Sequence, residues 1–395
     1  VTDSAEVVII GAGVTGTSTA FHLAKMGVKN IVVVERAHFA AGATGKSGAL
    51  VRMHYTNEYE TRLAVESLKY FQNWDDMVGG DCGFNPVGLL VFTPPEYKEH
   101  LEANVAMQRE VGANVQIISA NDARELDPSV SVDDVTHLAY EPNAGFADSN
   151  ATTFAFAEAA KNLGVEFRLD TRVTQVLTNG KTVIGVETSR GKITTPNVLV
   201  AAGAWANQLF GPLGIDIGLE PSLARVTIFR WPPERSARHM TYIDHINHTW
   251  IRPTDGTSTL IGAEFGVRHG ADPDNFSEAV TQDYIDLCRQ QIVNRFPVMR
   301  HSTVRGNWAG ILMRSLDSRP ILDRFPEYEG LYGIAGDSGT SFKTSPAIGK
   351  CMAEWITEGS AQTVDLTPFR STRFAEGKPW KDEFDYGLQK TTISR

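Results

Sequence analysis

Gly11-Ala12-Gly13-Val14-Thr15-Gly16 sets three glycines within one short stretch, and Glu35 follows about twenty residues on. Each glycine omits a side chain for a different reason. Gly11 allows a tight turn, Gly13 lets backbone approach a pyrophosphate, and Gly16 lets a helix pack closely on a strand. A helix opening at Val14 and Thr15 would aim unpaired N–H groups and a positive dipole end at the phosphates. Glu35 could accept both hydroxyls of a ribose, and its charge disfavours a 2′-phosphate and therefore NADP. The chemistry these residues can do is dinucleotide binding; this unit alone does not separate FAD from NAD.

The elements that must hold them in place are also readable. Val7-Val8-Ile9-Ile10 is a continuous apolar run, the pattern of a strand buried on both faces. A helix is predicted from Thr17 to Met26, with Phe21, Leu23 and Ala24 inward and Gly27 as its stop. A second apolar strand, Ile31 to Val34, ends at Glu35. A glycine triplet alone is a weak signal. Strand, turn, helix, strand and acid in register make it specific.

A chain of 395 residues has room for two domains. Its 42% hydrophobic and 21% charged residues suit a soluble globular protein. No apolar run approaches the roughly 20 residues a membrane span needs, and the start, Val-Thr-Asp-Ser-Ala-Glu, lacks a signal-peptide pattern. A net charge of -10 without a Lys/Arg cluster argues against a nucleic-acid partner. Cys82, Cys288 and Cys351 are far apart and read as buried thiols, which points to a cytoplasmic protein and away from disulfides or zinc. No metal site is expected: His245 and His248 are close, but no third ligand is evident.

Three later passages narrow the cofactor. Ala41 to Gly48 is small and flexible, suited to backbone running close under a flat ring, and favours FAD. Val198-Leu199-Val200-Ala201-Ala202-Gly203-Ala204-Trp205 reads as a buried strand ending in small residues. Leu331 to Lys343, with Gly336-Asp337-Ser338-Gly339-Thr340-Ser341-Phe342-Lys343 at its end, leads past Pro346 into a helix reaching Trp355. With Arg52-Met53-His54-Tyr55 after the small-residue loop, these passages in this order resemble the D-amino-acid oxidase superfamily. The likeness is to its glycine and sarcosine oxidase branch, including dimethylglycine dehydrogenases and sarcosine oxidase beta subunits. It runs from Val7 to Asp365-Leu366-Thr367-Pro368-Phe369.

The resemblance implies an α/β fold, α+β as a whole: a Rossmann-type FAD-binding domain with a discontinuous antiparallel-sheet substrate domain. The FAD part would be built from 1–80, 140–225 and 305–365, and the substrate part from 81–139 and 226–304. A tail, 366–395, would extend over the surface or a neighbouring subunit. Strands are expected at Val87–Phe92 and Ser258–Gly262, and helices at Pro94–Glu110 and Thr152–Asn162. The FAD contacts implied are Gly11, Gly13, Val14, Thr15, Gly16, Glu35, Arg36, Thr44, Gly45, Lys46, Ser47 and Val173, then Ala202, Gly203 and Trp205. To these the resemblance adds Gly339, Thr340, Ser341, Phe342 and Lys343.

For the reaction, the family places an arginine at Arg52 to pair with a substrate carboxylate, which a guanidinium grips bidentately, and a lysine at Lys343 that helps hold it. The expected substrate is a small primary or secondary amine bearing a carboxylate. Hydride passes to flavin N5 and an imine results, which hydrolyses or cyclises. Lys46, His54, Tyr55 and Glu264 are further candidates, and Tyr242, His245, His248, Arg252, His269 and Trp308 are pocket candidates. For each histidine a packed or surface ring is the plainer reading. Trp250 and Trp308 read as core.

Two departures from the family pattern matter. Gly310–Arg319 holds no Cys and the loop carries Lys46, not His, so the FAD is expected to be non-covalent. Leu260 stands where monomeric sarcosine oxidases carry a lysine that promotes reaction with O2, which leaves O2 and another electron acceptor both open. A homo-oligomer is compatible with this reading. Two alternatives stand beside it. Gly336-Asp337 resembles a pair in flavin monooxygenases, although Ser338 to Lys343 follows the amine-oxidase pattern. The tail and the missing lysine also leave a non-catalytic flavin-carrying subunit open.

Overall fold

All residues of the strand Val7–Ile10 are buried, and its alternate side chains feed two different cores. Val7 and Ile9 join a cluster with Phe21 and Leu23, while Val8 and Ile10 join Val176, Val186 and Ile193. This is the period-2 consequence of a strand covered on both faces. The computed structural model describes residues 3–234, 238–254, 256–264 and 268–387.

The strand is central in a six-stranded sheet, in the order Ile321–Arg324, Leu331–Ala335, Val198–Val200, Val7–Ile10, Ile31–Val34, Glu166–Arg168. All neighbours run parallel except the first pair. Helices Val14–Lys25, Ser149–Asn162 and Ser345–Glu358 pack together, the first against both others. On the other side lie Val173–Asn179, Thr182–Thr188 and Gly191–Thr194, a meander whose valines enter the second cluster. Two helices approach unusually closely: a Cβ on Gly349 would fall 2.2 Å from Ser18 Oγ.

A nine-stranded sheet forms the second body. Its order is Arg268–His269, Glu220–Arg230, Ser258–Ala263, Thr249–Pro253, Thr241–Asp244, Leu89–Phe92, His137–Glu141, Gln116–Ser119, with Thr303–Arg314 also paired to Glu220–Arg230. Its neighbours are antiparallel save Thr241–Asp244 beside Leu89–Phe92. Helix Gln282–Arg295 packs on it through Ile285, Cys288 and Ile292. The architecture is the expected α/β fold with a mainly antiparallel second sheet.

Several local expectations shift. The first helix begins at Val14 rather than Thr17, because Gly13, extended at its N-cap, lets helical bonding start at once. The expected helix from Pro94 is a short 3-10 turn, Pro95–Tyr97, followed by Lys98–Val111. The helix expected from Thr152 starts at Ser149, capped by the Asp148 side chain. The expected boundaries at 225 and 305 fall inside the paired strands Glu220–Arg230 and Thr303–Arg314.

The tail does more than cross the surface. Tyr386 is 2% exposed, and Trp380 stacks near Phe369. The last part of that tail, 388–395, lies outside the described residues. No helix among the described residues is long and apolar enough to cross a membrane.

Candidate active site and cofactor cavity

The two bodies meet around a cavity of about 790 Å³. Its first wall is the glycine turn. Gly11 sits at φ +111°, where a side chain is strained, and a Cβ there would lie 2.4 Å from Ala201 O. At Gly16 a Cβ would lie 2.1 Å from Gly11 O, so this residue serves helix packing and does not line the cavity. Glu35, 8% exposed, joins turn to second strand: Ala12 N–H donates to one carboxylate oxygen and Ala37 N–H to the other, both at 2.9 Å.

The short 3-10 turn Ala43–Lys46 carries the wall onward. Thr44 Oγ1 accepts from Val14 N–H at 3.3 Å, and the Trp308 indole N–H donates to Lys46 O at 3.0 Å. The Lys46 ammonium pairs with Glu278 at 2.5 Å, and its stem covers Gly310. Arg36 lies over the Trp205 ring and pairs with Asp274 at 2.8 Å; Trp205 and Gln208 also donate to Asp274.

The remaining wall comes from Gly339, Ser341, Phe342 and Lys343, just before the helix Ser345–Glu358, and from Arg52. Arg52 emerges after Leu50–Val51, a strand pinned to Gly145–Phe146. Its guanidinium donates to His54 O and stacks over the Tyr55 ring at 4.6 Å; the Lys343 ammonium is 5.3 Å from the same ring. Burial raises the carboxyl pKa of Asp337, also on the wall, against a Gly339 N–H and the Lys343 charge that lower it.

Behind Arg52 lies a buried polar layer. Glu141, fully buried, accepts from Met53 N–H at 3.0 Å; burial pushes its carboxyl up to about 7, opposed by backbone N–H groups and Arg52. Burial and the Arg52 charge hold His54 well below its usual range, and His245 down at about 3.

The sequence model of the family described as "DAO: FAD dependent oxidoreductase" matches residues 6–355. This chain belongs to that family. As an FAD-dependent oxidoreductase it is 24% identical to sarcosine oxidase subunit beta of Rhodobacter capsulatus, over 94% of this chain and 89% of that one. It is also 24% identical to the mitochondrial dimethylglycine dehydrogenase of Rattus norvegicus, over 95% of this chain but 46% of that one. Among solved structures, L-proline dehydrogenase from P. horikoshii superposes with a TM-score of 0.88 at 26% identity, covering 96% of this chain and 100% of that one.

The residues of this oxidoreductase fit the cofactor its family uses. The turn at Gly11 and Gly13 leaves backbone bare toward the cavity. Two helix starts, at Val14 and Ser345, adjoin it and offer N–H groups that lack intrahelical acceptors. Ser341 lines the cavity, and its buried Oγ has no hydrogen-bond partner among the described residues; a buried hydroxyl of that kind beside a cavity suits a ligand atom.

The cavity wall holds Gly11, Gly13, Val14, Thr15, Glu35, Arg36, Thr44, Lys46, Ser47, Arg52, Val173, Ala202, Gly203, Trp205, Glu264, Gly339, Ser341, Phe342 and Lys343. Gly45, Thr340, His54 and Tyr55 stand behind it, and Tyr242, His245, His248, Arg252 and His269 also lie off the wall. Tyr242 donates to Asp127, and Arg252 stacks over Phe146 at 4.7 Å.

Trp308, a pocket candidate, faces the cavity, and Trp250, read as core, both packs against the core and lines the cavity. Trp250 lies flat between Gly48 and Gly262, where a Cβ on either would come within 2.4 Å of the indole. Nothing in their local pattern marks Asp274, Glu278 and Arg225, whereas Asp337 is the second residue of the Gly336-Asp337 pair noted in the sequence. Among the described residues no group of three or more His, Cys, Asp or Glu could hold a metal ion.

Proposed function

We propose that this oxidoreductase acts on a small amine bearing a carboxylate, an amino acid or N-alkyl amino acid with a primary or secondary nitrogen. One observation carries the reading: Arg52 and Lys343, 3% and 7% exposed, line the same cavity as the glycine turn and share one aromatic ring. Two buried cations lining one cavity suit an anionic ligand group, and the guanidinium fork matches a carboxylate. The compounds named in its relatives, sarcosine, dimethylglycine and proline, have in common a carboxylate next to a substituted nitrogen.

A bound FAD would supply the two-electron sink for hydride from the carbon beside the nitrogen, and the resulting imine would be hydrolysed by water or would cyclise. The chain's own residues bind, orient and shield. Arg52 and Lys343 fix the carboxylate, and with it the attached carbon. Trp250 and Trp308 keep water from one side. Ser341 and the start of the helix Ser345–Glu358 favour negative charge on the cofactor held there. The cofactor is held without a covalent link.

The test is anaerobic mixing of the FAD-loaded protein with glycine, sarcosine, dimethylglycine, L-proline and a set of D- and L-amino acids. Loss of visible flavin colour with one or more of them supports the reading; retention of colour across the panel overturns it. Admitting air then separates reaction with O2 from dependence on another acceptor.

A further inference from the structure

The described part of the C-terminal segment reaches the buried layer behind Arg52. Tyr386, 2% exposed, places its hydroxyl 2.9 Å from His54 Nε2, with the two rings stacked at 5.9 Å and 18°. The His54 carbonyl in turn accepts from the Arg52 guanidinium. The His245 ring packs 4.9 Å from Tyr386 on another side. We infer that Tyr386 is a positioning residue for Arg52, acting through His54, and that the C-terminal segment thereby sets the geometry of the carboxylate anchor. The inference rests on the proposed role of Arg52.

The segment is tied down along its length. Trp380 N–H donates to Asp317 at 2.8 Å. Asp382 pairs with buried Arg319 and accepts from Thr56 Oγ1 at 2.7 Å, while Arg319 also binds Glu60 at 2.6 Å. The Asn104 amide donates to Phe384 O at 2.8 Å. Thr56 and Glu60 belong to the stretch that follows Arg52, so the tail is fastened to the segment it positions.

The layer itself is polar and closed. Glu141 accepts from Met53 N–H, and the Gln108 amide donates to Tyr55 O at 2.8 Å. Met53, His54 and Tyr55 are therefore held by Glu141, Tyr386 and Gln108, each from a different element. Ring and carbonyl belong to one residue, so the hold of Tyr386 on the His54 ring restrains the backbone whose carbonyl accepts from the guanidinium. A buried polar network of this sort transmits position because its members have few alternative partners.

Tyr386→Phe removes the hydroxyl and keeps the ring. The readout is benzoate binding to the FAD-loaded full chain, followed by the change in flavin absorption, with benzamide as the uncharged control. The expected result is about threefold to tenfold weaker benzoate binding, the size of one neutral hydrogen bond, with benzamide unchanged. In an Arg52→Ala background the same change adds no further loss, since its path to the ligand is gone. Equal loss for benzoate and benzamide would mean general loosening and would overturn the inference. So would unaltered benzoate binding in Tyr386→Phe when Arg52→Ala weakens it. Benzoate binding that ignores Arg52→Ala removes the anchor itself, a distinct failure that takes the inference with it. Should Tyr386→Phe not fold, His100→Ala loosens the same segment at an exposed contact to Asp385 O. It should weaken benzoate less, again sparing benzamide, and no change in benzoate binding overturns the inference.

Discussion

Arg52 and Lys343, far apart in the chain, hold their charges over a single ring, Tyr55, at 4.6 and 5.3 Å. The Tyr55 hydroxyl donates to Thr340 O at 3.2 Å, so the ring is fixed by the very segment that carries Lys343. The two cations are thus set relative to each other by one tyrosine. Arg52→Ala should raise KM for a carboxylate substrate roughly tenfold to a hundredfold, as loss of a charge-assisted bond worth about 1.5–3 kcal/mol implies. Arg52→Lys should restore only part, since the fork is lost. Steady-state kinetics on the best substrate from the panel decides; an unaltered KM takes Arg52 out of the site.

Gly16→Ala should abolish cofactor retention. Its Cβ would lie 2.1 Å from a backbone oxygen of the turn, which cannot move aside as a flexible side chain could. The variant should purify colourless or insoluble. Yellow protein at parental yield would contradict the close packing described.

Ser341→Ala separates cofactor binding from stability. The hydroxyl is buried with no protein partner, so its removal should leave the thermal midpoint of the FAD-free protein unchanged or raised. FAD affinity, titrated by quenching of protein fluorescence, should fall by about threefold to tenfold. Unchanged affinity would show that the hydroxyl does not serve the cofactor.

Stability should fall in acid. Burial lowers His22 and His245 to about 3 and His54 well below its ordinary 6.5. Such groups take up a proton in the unfolded chain before the folded one. Their contribution is whole above about pH 6.5 and drains away as pH falls toward about 3, at up to roughly 1.4 kcal/mol per pH unit each. Glu141 works the other way: raised to about 7, its contribution is whole below 4.5 and lost as pH rises through 7. Three histidines outweigh one carboxyl, so urea unfolding at about pH 5 should need less denaturant than at about pH 7. Glu141→Gln should steepen the difference and His245→Asn should flatten it. Equal midpoints at both pH values would refute the assignment.

On the proposed non-covalent linkage, acid precipitation should release the yellow cofactor into the supernatant. Colour left in the pellet would show a covalent bond.

What could be read in the sequence was what is local. The turn at Gly11 to Gly16, the strand Ile31–Val34 and Glu35 lie within one stretch, and their spacing carries their geometry. Arg52 and Lys343 were reachable because each sits in a passage with a family pattern. An indole facing a cavity and one facing a core look alike in sequence, so the pattern around Trp250, which does both, does not show its second role. Trp250 becomes a wall only through its contact with Gly48, brought from the other body of the fold. Tyr386 was invisible for a similar reason: a tyrosine in a polar tail gives no hint that His54 waits for it. Asp274 and Glu278 find Arg36 and Lys46 only after the large sheet has formed.

The close seating of Gly349 against Ser18 has a consequence for how the protein is made. The helix beginning at Val14 leaves the ribosome well before its partner, Ser345–Glu358, is made. Until then the early helix has an uncovered side, and the strand order of the parallel sheet is incomplete. Contacts of such separation form slowly and leave apolar surface open in the meantime. Nascent chains should therefore depend on chaperones, and loading of FAD should wait until the helix Ser345–Glu358 has been made.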